Sequence, residues 1–163
     1  MSLRVHLKRH AKHLEVDPAA VKRYARAVLR SQDVGEGVLC LVLTDNVRIR
    51  ELNARYRSKD RATDVLAFPG DVDADPFLPP PPGARVEPRY LGDVVVSVER
   101  AVEQAPRFHN DPESELARLV THGILHLLGH DHHTPAEGRR MKAAERAALR
   151  AFVPGTLVVR STA

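Results

Sequence analysis

Thr121-His122-Gly123-Ile124-Leu125-His126-Leu127-Leu128-Gly129-His130-Asp131-His132-His133 holds five of the chain's nine histidines. His122 and His126 are four residues apart. On a helix, positions i and i+4 lie one above the other on the same face, so both imidazoles can reach one metal ion. Gly129 follows three residues later, and glycine is the usual residue just past a helix end. The chain can turn back there and bring His132 to a third ligand position. Three neutral imidazoles with an open fourth position describe a catalytic zinc centre, whereas a structural zinc has four protein ligands. His130 and His133 lie close enough to compete for the third place. The spacing His-x3-His-x2-Gly-x2-His is also that of metzincin zinc peptidases, with one departure. The peptidases carry Glu after the first histidine as general base, and here that position is Gly123.

Outward from this stretch, the signals give alternating short strands and helices. Asp17-Pro18, Asn110-Asp111-Pro112 and Thr134-Pro135-Ala136-Glu137 each place a capping side chain before a proline at the first helical position. They predict helices over about 18–30, 112–129 and 135–152. Val38 to Leu43 is short and continuously apolar, which predicts a buried central strand. Thr44-Asp45 caps a helix over about 46–56, with Ile49, Leu52 and Tyr56 on its apolar side. Further strands are expected at 2–7, 65–68 and 91–97, and Ser97 caps a helix over about 98–107. Within the tail 153–163, Thr156 to Arg160 is an edge strand or irregular. The sum is an α+β fold, one domain over 1–163, with a small mixed sheet of four strands and about five helices. Residues 69–90, rich in proline, read as a projecting surface loop.

Composition narrows the function. No apolar run approaches the roughly 18 residues needed to cross a bilayer, and the N-terminus has no apolar signal region. Cys40 is the only cysteine, so no intramolecular disulfide can form, and a reducing cytoplasm fits. A net charge of +4 permits a polyanionic partner. Aromatics make up 4% with no Trp, which argues against broad base-stacking platforms.

His122-Gly123-x-Leu125-His126-Leu127-x-Gly129-x-Asp131-His132 resembles the motif of the YbeY family, zinc-dependent endoribonucleases that mature ribosomal RNA. Leu52-Asn53-x-x-Tyr56-Arg57-x-Lys59-Asp60-x-x-Thr63-Asp64-Val65-Leu66-x-Phe68-Pro69 is similar to its central block, and Leu91-Gly92-Asp93-Val94 to a later strand. The resemblance implies one Zn2+ held by His122, His126 and His132, with Arg57 as the basic catalytic residue. It implies single-strand-specific cleavage in late small-subunit maturation, at the 16S ribosomal RNA 3′ end, and in ribosome quality control. The partners implied are precursor ribosomal RNA and the small ribosomal subunit, in the cytoplasm. Chemically, a guanidinium offers a planar fork to phosphate, and negative charge grows on the non-bridging oxygens during cleavage. Lys59 and Asp60 could position RNA or cap their loop, and Asp131 could orient a ligand ring. The nucleophile, water or the RNA 2′-hydroxyl, stays open, as does the oligomeric state. Two alternatives stand beside this: a metallopeptidase, disfavoured by Gly123, and a ribosome assembly factor with a structural zinc. His130 stands where the family commonly has Tyr, and the proline-rich loop is longer than the family's.

Overall fold

The computed structural model describes residues 3–10, 14–57, 63–70, 82–83 and 89–161. Its main sheet has four strands, β1 (Leu3–Arg9), β3 (Gly37–Thr44), β4 (Val65–Pro69) and β5 (Tyr90–Ser97), in the order β1-β3-β5-β4. β3 runs parallel to β1 and β5, and β4 is antiparallel to β5. A separate two-stranded ribbon pairs β2 (Leu14–Glu15) with β6 (Arg160–Ser161). Among the described residues the fold is the expected mixed sheet with five α-helices: α1 (Pro18–Ser31), α2 (Asn46–Arg57), α3 (Val98–Gln104), α4 (Pro112–Leu127) and α5 (Pro135–Leu149).

Side-chain alternation along the strands divides the sheet into two faces. Leu39, Leu41, Leu43, Val94 and Val96 point to one face, where they form a single cluster with Val21, Val28 and Leu29 of α1 and Leu116, Val120 and Ile124 of α4. Val42, Val95 and Leu66 point to the other face and meet Ile49 and Leu52 of α2. α4 therefore lies on β4 and β5, with α1, α3 and α5 packed around it. Almost every side of its second half is buried, and the two histidines look out through the remaining gap.

The caps work as the sequence predicts. Asp17, Asp111 and Thr134 each accept a hydrogen bond from a backbone N–H three residues on. Asp45 accepts from the Arg48 N–H at 2.8 Å. Three expectations change. The helix over 98–107 stops at Gln104 and tightens into a 3-10 turn over Ala105–Phe108. Pro106 is the cause, because proline has no N–H and its ring clashes with the preceding turn of an α-helix. Tyr56 is 60% exposed instead of joining the apolar side of α2, with the Phe68 ring at an edge-to-face 5.7 Å and the Arg55 guanidinium 5.5 Å from its ring centroid. Among the described residues of the tail, only Arg160–Ser161 is a strand, and Arg160 pairs with Glu15 at 2.7 Å. Most of the proline-rich 69–90 stretch, namely 71–81 and 84–88, lies outside the described residues.

Candidate metal centre

The centre grows from the end of α4. Gly129 has φ of 94°, a left-handed conformation that glycine adopts without strain. The Gly129 N–H donates to His126 O and the His130 N–H to Leu125 O, both at 3.0 Å. This pair of bonds is the Schellman ending, which satisfies the last helical carbonyls and turns the chain sharply. The turn carries Asp131, His132 and His133 back past the histidine face.

His122 and His126 are both half-buried on that face. Their rings stand edge to face, with centroids 4.5 Å apart, and their Nε2 atoms are 3.0 Å apart. The opposite nitrogen of His122 is occupied. His122 Nδ1 lies 3.0 Å from Oε1 of Glu145, on α5. The His130 N–H is spent on Leu125, and the His130 backbone carbonyl favours the proton of the His126 ring. With the His122 proton assigned to Nδ1 by its Glu145 partner, and the His126 proton assigned toward the His130 carbonyl, both Nε2 atoms of the neutral rings carry a lone pair. Two lone pairs pointed at each other repel, and a cation between them turns the repulsion into coordination.

The electrostatics favour the same state. Burial, followed by the neighbouring His122 and His132, holds the His126 pKa below its ordinary value, so this ring stays neutral at pH 7. The hydrogen bond with His122 holds the Glu145 carboxyl below its ordinary value, so it is ionised and ready to accept. A carboxylate behind a ligand histidine fixes the ring's tautomer and orientation.

His132 is less drawn in. Its ring centroid is 5.7 Å from that of His126, and its side chain is 63% exposed. Among the described residues no group of three or more His, Cys, Asp or Glu side chains is closed into a metal-binding set. His130, one of the two competitors for the third place, is tied elsewhere, with Nε2 3.2 Å from Oε1 of Gln32 at the end of α1. Asp131 accepts from the His132 backbone N–H at 2.8 Å and lies 2.8 Å from His133 Nε2. Its carboxylate sits 3.9 Å from His132 Nδ1. Arg57 ends α2, but its side chain lies outside the described residues, as do Lys59 and Asp60.

Gly123 explains the missing peptidase carboxylate. A Cβ at this position would sit 2.5 Å from Val94 Cγ1 and 2.8 Å from Val65 Cγ2. The position after the first histidine is a contact point between α4 and the sheet, turned away from the ligand face.

A sequence profile described as Endoribonuclease YbeY matches residues 6–153. The chain belongs to the YbeY family. It is 41% identical to an Endoribonuclease YbeY of Chloroflexus aggregans over 85% of this chain and 90% of that one. It is 43% identical to one of Roseiflexus castenholzii, over 84% of each. The fold matches a solution structure from Thermotoga maritima with a TM-score of 0.55 at 23% identity, covering 93% of this chain and 98% of that chain. Among the described residues no helix is long and apolar enough to cross a membrane.

Glu145 is the site residue that the sequence analysis missed. Its signal was present. Met141 and Ala148, both buried, mark the inner stripe of α5, and Glu145 falls between them at i+4 and i−3. An acid on an apolar stripe needs a partner, and here the partner is His122.

Proposed function

We propose that this chain is a zinc-dependent endoribonuclease acting on single-stranded RNA, in the maturation of ribosomal RNA on the small subunit in the cytoplasm. The observation that supports it best is the His122–His126 pair, two facing Nε2 atoms 3.0 Å apart, with the other His122 nitrogen bound to Glu145. His122 and His126 would hold the ion, and His132, on the loop that returns past them, would complete the set. When bound, zinc lowers the pKa of water toward about 7 and polarises a phosphoryl oxygen. The protein's own groups do the rest. Glu145 would fix the His122 ring, and the loop after the Schellman turn would bring His132 to His126. Arg57, carried at the end of α2, would meet the charge that grows on the phosphate. The packing of Gly123 against Val94 and Val65 counts against a peptidase, because a general-base carboxylate has no room there.

The test is cleavage of single-stranded RNA and of casein, with and without chelator. RNA cleavage that stops with chelator and slows with salt is expected, with casein untouched. Arg57→Ala should keep the metal and lose roughly 10²-fold in rate, the scale of one lost charge-stabilising donor. Chelator-sensitive casein digestion with intact RNA would reverse the assignment.

Glu145→Gln is expected to weaken zinc binding by about 10-fold or more, the usual effect of losing an outer-shell partner. Competition against a coloured chelator measures it. Affinity equal to the parent's would mean that Glu145 only packs against His122.

A further inference from the structure

We propose that Phe108, backed by Arg118, is a stacking platform for one base of the RNA that crosses the His122–His126 centre. The inference rests on the endoribonuclease reading and adds a substrate contact to it. Arg118, His122 and His126 stand at i, i+4 and i+8 of α4, one stripe on one helix face. Each step along that stripe is about 6 Å, so Arg118 adjoins the centre. Its guanidinium carbon lies 4.6 Å from the centroid of the Phe108 ring.

Phe108 is a large apolar ring left 52% exposed at the end of the 3-10 turn. His109 follows in a left-handed conformation, φ 55°, which turns the chain directly after the ring. The guanidinium covers part of the ring and leaves the rest in water. The support beneath it is rigid. Glu115 is fully buried and holds Arg118 through both carboxylate oxygens, one of them at 3.0 Å from Nη2. Gln104 Nε2 donates to the same carboxylate at 3.1 Å. A buried carboxylate with these partners fixes the arginine in place, so the platform loses little entropy on binding.

The surroundings suit a polyanion. Arg100 and Arg107 line a hollow of about 250 Å3 beside the turn, with Glu103 and Gln104. Glu103 is engaged by Arg100 at 3.6 Å and by the Asn46 side chain at 3.0 Å. A base has an apolar face for Phe108, and its phosphates have Arg107 nearby. Single-strand binding sites combine these two features, because every base has a π face. A duplex keeps its bases stacked inside, so this platform selects unpaired RNA.

The chain has no tryptophan, so Phe108→Trp introduces a unique fluorophore. Short single-stranded oligouridylate is titrated in the presence of chelator, to prevent cleavage, while anisotropy of labelled RNA follows binding. Quenching of the indole is expected, with the same midpoint as the anisotropy. Phe108→Leu, which keeps an apolar side chain but no aromatic face, should bind roughly tenfold more weakly, the scale of one lost stack. Its zinc content and thermal midpoint should match the parent's. Unquenched fluorescence on bound RNA, or parental affinity in Phe108→Leu, would overturn the subsite. A parental protein that binds no single-stranded RNA would instead remove the endoribonuclease reading, and the subsite with it.

Discussion

His126→Ala is expected to purify without its metal and to cleave RNA no faster than background. His126 lies between His122 and His132 and faces the His122 Nε2 at 3.0 Å. Losing even an outer-shell partner weakens a metal site by about 10–100-fold, and losing a direct ligand should exceed that. Fold stability without metal should change little or improve. The half-buried ring is disfavoured in its charged form, so its folded-state pKa lies below the ordinary 6.5. As pH falls below 6.5, the unfolded state takes up a proton before the folded ring does, and stability drops. Removing the ring removes that acid-sensitive contribution. In the parent the same depression keeps the ring available as a ligand at lower pH, so zinc should be retained below pH 6.5. Elemental analysis and a pH titration of metal release check both halves. Unchanged zinc in His126→Ala would end the assignment of this pair as ligands.

Much of the architecture was legible because local chemistry and tertiary structure agree. Asp17-Pro18, Asp111-Pro112 and Thr134-Pro135 fixed three helix starts, and each cap is made as its residue types require. The apolar run from Val38 to Leu43 became the central strand, flanked by β1 and β5. What escaped depends on contacts distant in sequence. Two-residue strands such as Leu14–Glu15 and Arg160–Ser161 have no period to read, and they form by pairing with each other across most of the sequence. The order β1-β3-β5-β4 follows from where α4 buries its apolar sides, which no single segment encodes.

The site divides in the same way. The i, i+4 histidines and the glycine stop are local, so their mutual placement could be read directly. Glu145 belongs to another helix 23 residues on and becomes relevant only once α5 docks against α4. Gln32, which occupies His130, comes from the end of α1, 98 residues away. Phe108 was discounted with the other scarce aromatics. Its exposure, and the guanidinium over it, follow from Pro106 breaking the helix early.

Gly123→Glu, the change that would recreate the peptidase motif, is expected to cost most or all of the fold. Residue 123 lies about 100° around the helix from His122 and faces the sheet. The walls there are Val94 and Val65, β-branched side chains with little freedom to move aside. Gly123→Ala gains about 1 kcal/mol of helix propensity. Against that, forcing an extra carbon into a filled core costs about 1–3 kcal/mol. The alanine variant should therefore fold with a lower melting temperature, by a few degrees at roughly 2–4 °C per kcal/mol. Glutamate adds one further methylene and a carboxylate with no partner in an apolar contact. Burying that group unpaired costs several kcal/mol more, a large share of a total stability of about 5–15 kcal/mol. Circular dichroism and thermal melting of both variants provide the measurement, with casein digestion as a second readout. A Gly123→Glu protein that melts with the parent would mean that α4 can lift from the sheet. If it also digested casein, the residue after the first histidine would have reached the ligand face, and the peptidase reading would return.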